Sequence, residues 1–299
     1  MNFGLCLPIR RDCSIEFNIN LAKKAEELGF DSVWVSDHVV VPNKTIGSFS
    51  KVFYDPFVLL AAIASDTESI KLGTSVIILP YRNPVVVAKM VATIDMLSEG
   101  RFILGIAPGW LKEEFESLNA DFDNRGEITD EYIKSIVELW ANDNPEFNGK
   151  YVNFSDISFY PKPYNKRIPE IWVGGSSKRA RKRALELATG WQPTWISPED
   201  YSKNKEEFQK SAGEIGVDLS NFSFSVRNRI RIETPGNTAD TTNDPSYMFR
   251  GTMDQIKIEV EKFAECGAEY VVFDPEAESD SDTYKLLEII SENLINTVQ

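Results

Sequence analysis

What most restricts this chain is an alternation. Short apolar β-type runs and longer helical stretches take turns eight times from one end to the other. The strands are expected at Phe3–Pro8, Ser32–Ser36, Lys71–Leu79, Arg101–Ile106, Pro169–Val173, Trp191–Pro193, Phe222–Ile232 and Glu269–Phe273. The helices between and after them are expected at Ile15–Leu28, from Asp55-Pro56 to Ala64, and at Val85–Leu97, Ile128–Trp140, Ser176–Ala188, Pro198–Ile215, Met253–Cys266 and Thr283–Asn296. Gly29 and Gly100 follow two of these helices as stop signals, and Pro56 and Pro84 sit where a first-turn proline costs no hydrogen bond. The strands read as near-continuous apolar runs rather than alternating ones, the pattern of parallel strands covered on both faces. Eight βα units are the number that closes a parallel barrel, typically about 250 residues long.

The expected fold is therefore α/β: a single (β/α)8 TIM-type barrel over residues 1–299, with insertions at the strand C-terminal face. The irregular segments near 40–54, 107–127, 141–168 and 233–250 are read as βα or αβ insertions, and the polar stretch Glu233 to Pro245 is a lid or a surface loop. An open doubly wound sheet is the competing architecture. It lacks support because no GxGxxG follows the first strand, where a dinucleotide fingerprint belongs.

In a barrel of this kind the catalytic groups gather where strands end and loops converge. The second strand ends in Ser36-Asp37-His38, and His38 is the one histidine of the chain. Its side chain can donate or accept a proton near neutral pH, so Asp37 and His38 are candidate catalytic residues. The alternative is a hydrogen-bonded structural histidine. A lone histidine leaves metal-assisted hydrolysis on a barrel without its ligand set, and no metal is expected. Cys6, Cys13 and Cys266 show neither CxxC nor Cys/His spacing, so neither structural zinc nor a disulfide framework is expected.

The charge balance, 32 basic against 46 acidic residues for a net −14, argues against nucleic acid or an anionic membrane as partner. It is compatible with a small-molecule substrate. No leader pattern opens the sequence and no apolar stretch approaches the length of a membrane span, so a soluble cytoplasmic protein is expected.

A second constellation follows the fifth strand. Gly174-Gly175-Ser176-Ser177 runs from strand into helix, followed by Arg179, Arg181, Lys182 and Arg183. Glycines let backbone approach an anion, and the free N–H groups of a helix start favour negative charge, which suits a phosphate. The plainer alternative is a tight turn with Ser176 as N-cap. Arg227, Arg229 and Arg231 share one face of the seventh strand. They form either a solvated strand face or a cationic wall for an acidic cofactor tail or anionic substrate. Trp191 and Trp195 are candidate pocket linings.

Several segments in order carry a family resemblance. These are Ala25 through Trp34 to His38, Gly73-Thr74-Ser75-Val76 through Pro84, Leu97-Ser98-Glu99-Gly100-Arg101 to Ile106, and Trp172-Val173-Gly174-Gly175-Ser176. Tyr160-Pro161-Lys162-Pro163 and Gly251-Thr252 also fall in family order. The chain resembles the bacterial luciferase-like monooxygenase superfamily of flavin- and deazaflavin-dependent oxidoreductases. The resemblance implies a barrel holding a tricyclic ring in its mouth, and its nearest likeness is to users of the 5-deazaflavin coenzyme F-420. It implies Asp37 and His38 at the redox centre, a non-prolyl cis peptide at Ser75–Val76 supporting the ring, and Gly174, Gly175 and Ser176 on the cofactor phosphate. It also implies Gly105 to Gly109 along the far side of the ring. Gly-Ile-Ala-Pro-Gly-Trp here departs from the more usual Gly-Val-Gly-Val-Gly-Trp, since Pro108 removes a backbone donor. The implied activity is hydride transfer between F-420 and an organic substrate. The alternatives are an FMN-dependent monooxygenase and a non-catalytic flavin-binding barrel. A homodimer is the expected assembly.

Overall fold

A computed structural model describes residues 1–9, 13–45, 52–233 and 248–296. Eight strands form the barrel: β1 Asn2–Cys6, β2 Ser32–Val35, β3 Lys71–Thr74, β4 Phe102–Ala107, β5 Glu170–Gly174, β6 Gly190–Gln192, β7 Ser223–Ile232 and β8 Tyr270–Pro275. Each pairs in parallel with the next, and β8 returns to β1 with Asn2 opposite Tyr270, so the sheet closes. Eight helices follow the strands in turn: α1 Ile15–Glu27, α2 Pro56–Asp66, α3 Pro84–Leu97, α4 Arg125–Ala141, α5 Lys178–Leu187, α6 Pro198–Ile215, α7 Met253–Glu265 and α8 Asp280–Ile290. This is the (β/α)8 barrel read from the alternation. No helix among the described residues is long and apolar enough to cross a membrane.

Local chemistry explains where the helices begin. The Asp55 and Asn83 side chains each accept from two backbone N–H groups of the first turn, with Pro56 and Pro84 just inside. Thr252 and Gln255 make a reciprocal capping box on α7. The main core lies between sheet and helices. A second, smaller cluster fills the barrel lumen, made of Cys6, Trp34, Ile103, Trp172, Tyr270 and Val272. The Trp34 and Trp172 rings meet at 5.0 Å. They fit only because facing positions are glycine: a Cβ at Gly73 would lie 2.1 Å from Trp34, and one at Gly190 2.4 Å from Trp172.

Three details differ from the sequence reading. The third strand is not continuous to Leu79. It breaks after Thr74, resumes at Ile77–Ile78 and passes into a 3-10 turn over Leu79–Tyr81. Apolar patterning cannot register a bulge whose residues stay buried. Second, α5 begins at Lys178 with Ser177, not Ser176, as its N-cap. Third, the 141–168 insertion joins α4 to β5 and is not a loop of the strand C-terminal face. Its hairpin, Phe147–Asn148 against Asn153–Phe154, docks on α4, where Glu131 accepts from the backbone N–H groups of Lys150, Tyr151 and Val152. The other insertions carry a 3-10 turn at Asn43–Thr45, a short helix at Lys112–Ser117, and a strand at Met248–Gly251 beside the outer end of β7. The suggested lid from Glu233 to Pro245 lies, after Glu233, outside the described residues.

The break in β3 depends on Gly105. A Cβ there would sit 1.8 Å from the Thr74 carbonyl oxygen, a backbone atom with no rotamer to escape into. Gly105→Ala is expected to destabilise the protein by about 3 kcal/mol, the upper range for overpacking a tight core. For a chain of 299 residues that lowers the melting temperature by roughly 5 °C. A thermal melt indistinguishable from wild type would show that β3 and β4 can part at this point.

Candidate active site

The chain leaves β2 through Ser36, Asp37 and His38. The His38 ring is held on two sides. Its Nδ1 lies 2.7 Å from Glu114 Oε2, and its face meets the Phe53 ring in an edge contact at 4.8 Å. Glu114 stands on the Lys112–Ser117 helix after β4, and its carboxylate is fully buried. Oε1 accepts from the backbone N–H groups of Val39 at 2.7 Å and Val40 at 3.2 Å, and Oε2 accepts from the Tyr81 hydroxyl at 3.0 Å.

An ionised carboxylate can only accept, so the bond to His38 requires the proton to be on Nδ1. In the neutral ring that leaves Nε2 as the proton acceptor. Burial pushes the Glu114 carboxyl up, but the His38 bond and charge and the two backbone N–H groups outweigh it, and the group stays below its ordinary value. Burial and the adjacent Glu114 raise the Tyr81 phenol, which keeps it a donor. Sequence reasoning missed Glu114. It falls within the insertion near 107–127, but nothing in Lys112-Glu113-Glu114 marks which carboxylate turns inward.

Asp37 has another task. It is 4% exposed, and its oxygens take both Arg82 nitrogens at 2.5 and 2.8 Å and the Ile78 N–H at 3.0 Å. Arg82 continues to Asp55, the cap of α2, at 3.2 Å. Asp37 thus ties the β2 exit to the start of α2 and to the resumed strand after the β3 break.

Within that break the Ser75–Val76 peptide is cis, as the resemblance implies. The Ser75 carbonyl accepts from Ser36 Oγ at 3.1 Å and from Arg227, and the Ser75 hydroxyl lies 2.5 Å from Gln192 Oε1. Arg227 is therefore not on a solvated strand face. In a closed barrel one face of every strand points into the lumen, and here that face carries the arginine, 8% exposed and paired with Asp274 at 2.7 Å. Arg229 pairs with Glu276 at 3.5 Å and lies over the Trp195 ring, while Arg231 is half-buried. Cys6 shares this layer. Burial pushes its thiol up to about 12, so it is a neutral group and no nucleophile.

The diglycine adjoins the break. A Cβ at Gly174 would come 3.0 Å from Val76 Cγ1, so β5 and the cis peptide are in direct contact. Gly175 has φ +98°, a conformation side chains other than glycine rarely adopt, and its carbonyl accepts from the Trp191 indole at 2.8 Å. Trp191 is itself fully buried, stacked on Tyr201 at 5.3 Å, and does not line a pocket. Trp195 is 38% exposed. With Ser177 as the cap, Ser176 is left exposed at the head of α5. Most of the basic run is committed elsewhere: Arg181 to Glu207, Lys182 to Glu186 and Arg183 to Asp130. Lys178 and Arg179 carry no ion pair among the described residues. Gly109, at φ +81°, packs on Ile78 and Phe115 behind the break.

Ser36 at the β2 exit, the Ser75–Val76 break, Gln192, Arg227 and Gly174 are thus linked by direct contacts across β2, β3, β5, β6 and β7, and His38 joins them through Glu114 and Tyr81. A family model described as luciferase-like monooxygenase matches residues 1–236. The chain belongs to that family. It is 28% identical to an FMNH2-dependent dimethylsulfone monooxygenase of Pseudomonas putida over 69% of this chain and 56% of the relative. It is 38% identical to an F-420-dependent glucose-6-phosphate dehydrogenase of Amycolatopsis mediterranei over 52% of this chain and 47% of the relative. The chain thus spans about half the length of these curated relatives. A monooxygenase from Streptomyces bottropensis shares the fold with a TM-score of 0.85 at 18% identity, covering 100% of both chains. Relatives of this luciferase-like chain include both flavin-dependent monooxygenases and F-420-dependent dehydrogenases.

Proposed function

We propose that this luciferase-like protein is an oxidoreductase that moves a hydride between coenzyme F-420 and an organic substrate bearing a hydroxyl or carbonyl group. The carrying observation is the His38–Glu114 pair, which commits Nδ1 and leaves Nε2 to exchange a proton. Oxidising an alcohol by hydride loss requires a base for the hydroxyl proton, and reducing a carbonyl requires an acid to return it.

The residues present fit such a cofactor. The Gly174–Gly175 turn offers backbone N–H groups at the head of a helix with no acidic residue in its first turn, where a phosphate is favoured. Two buried donors beside Ser75, Gln192 Nε2 and Arg227 Nε, have no partner among the described residues, as at a site awaiting acceptors. When bound, the deazaflavin supplies a two-electron centre that gives or takes hydride. The chain supplies the rest. His38 Nε2 accepts the substrate hydroxyl proton or donates one to the carbonyl oxygen, and Glu114 holds the ring in the required tautomer. Asp37 and Arg82 fix the loop that carries His38.

A second reading, an FMN-dependent monooxygenase, is supported by the similarity to the dimethylsulfone monooxygenase, which extends over a larger share of the chain. Equilibrium binding of oxidised and reduced F-420 and FMN to the apoprotein separates the two. F-420 is expected to bind at least about tenfold more tightly, a difference of about 1.4 kcal/mol. Preference for reduced FMN, with oxygen uptake, would select the monooxygenase, and binding of neither would overturn both.

A further inference from the structure

The upper layer of the barrel lumen is polar, and one side chain spans it. Arg227 starts on β7, which lies opposite β3 in an eight-stranded ring. The lumen of such a barrel is just wide enough for side chains to fill. The guanidinium bonds Asp274 of β8 through Nη2 at 2.7 Å, and reaches the Ser75 carbonyl and hydroxyl of the β3 break through Nη1, the hydroxyl at 3.2 Å. Ser36 Oγ is the second donor to the same carbonyl, so both lone pairs of that oxygen are engaged, from β2 and from β7. The Ser75 hydroxyl is fixed in turn by Gln192 of β6. Val76, the next residue, touches Gly174 at the phosphate turn.

Two further observations separate this layer from ordinary core. The Arg227 and Asp274 side chains keep 10% and 18% exposure, so the pair borders the mouth. Its hydrogen bonding is also incomplete: Arg227 Nε and Gln192 Nε2 are buried without partners. Turning the Gln192 amide over would satisfy Nε2 on Ser75 but orphan its oxygen instead. Burial opposes the charge on Arg227, but Asp274 and its neighbours more than offset this and hold the guanidinium above its ordinary value.

We propose that Arg227 is a positioning residue for the cofactor ring: it crosses the lumen from β7 and holds the Ser75 carbonyl and hydroxyl, and so the β3 segment on which the ring rests. This rests on the cofactor reading above. The guanidinium fork is needed because one group must meet Asp274 and Ser75 together. A lysine ammonium keeps the charge but cannot span both.

The test uses Arg227→Lys and Arg227→Gln. Affinity is measured for FMN and riboflavin, and for F-420 and its phosphate-free 8-hydroxy-5-deazariboflavin core, with apoprotein melting temperature alongside. For whichever ring wild type binds, Arg227→Lys is expected to weaken the phosphate-free ring and the whole cofactor by the same factor, about tenfold for one charge-assisted bond. Its melting temperature stays near wild type, and the absorption maximum of the bound ring shifts. Should Arg227→Gln fail to fold, the lysine variant still decides. Unchanged affinities, or a loss confined to the phosphate-bearing form, overturn the proposal. If wild type binds neither ring, the cofactor reading falls and takes the proposal with it. If wild type binds and Arg227→Lys binds equally, only the role of Arg227 falls.

Discussion

His38→Ala is expected to lower turnover by about 10²–10⁴-fold, the range for loss of a positioned general acid or base. Cofactor affinity should stay within about threefold of wild type, less than one charge-assisted hydrogen bond contributes. The asymmetry follows from the contacts. Among the described residues the imidazole meets Glu114 and Phe53, whereas the turn assigned to the phosphate and the Ser75 carbonyl are held by other residues. Removing the ring does not strand Glu114, because Val39, Val40 and Tyr81 still donate to it. The variant should therefore fold, and the loss should appear in kcat more than in KM. Single-turnover change of cofactor absorbance with the substrate that wild type accepts is the measurement. Added imidazole should restore part of the rate. Turnover within tenfold of wild type would remove His38 from the chemistry and return it to the structural role that a lone histidine at a strand end also fits.

Much of this architecture is legible in the sequence, because a closed parallel barrel is a repeated local pattern. The order of apolar runs, the first-turn prolines Pro56 and Pro84, and the exit of β2 at Asp37 and His38 are all short-range features. What escaped depends on which way a side chain points once the sheet closes. Arg227, Arg229 and Arg231 look like a solvated stripe when the strand is read alone; closure turns that face into the lumen and pairs Arg227 with Asp274, 47 residues away. Trp191 reads as a mouth residue by position, yet it stacks outward on Tyr201 of α6. Glu114 is separated from His38 by 76 residues, and no local spacing distinguishes it from its exposed neighbours. Asp37 was legible as a site residue by place, but its engagement by Arg82 and Ile78 is tertiary.

Glu114→Gln is expected to leave the fold in place, reverse the tautomer of His38 and lower kcat by about 10²–10⁴-fold. Asparagine substitution of a histidine-orienting aspartate has this kind of effect elsewhere. The carboxylate takes four donors: the N–H groups of Val39 and Val40 on Oε1, and His38 Nδ1 and the Tyr81 hydroxyl on Oε2. An amide offers one accepting oxygen and an NH2 group. With its oxygen kept by the two backbone N–H groups, the NH2 faces His38 and Tyr81. The Tyr81 hydroxyl can rotate to accept. His38 can accept on Nδ1 only by moving its proton to Nε2, which is then no longer a base. Because the chain has a single histidine, nitrogen-15 spectra of histidine-labelled, tag-free protein report this ring alone. Wild type should show protonated Nδ1, and the variant protonated Nε2. The same tautomer in both would sink the assignment of Glu114 as the orienting group. The pH dependence gives an independent check. Glu114 is held below the ordinary value of 4.5, so its stabilisation is fully present above that value and is lost as pH falls through the lowered one. The part of the wild-type stability advantage over Glu114→Gln that comes from the carboxylate should therefore shrink as pH falls below 4.5.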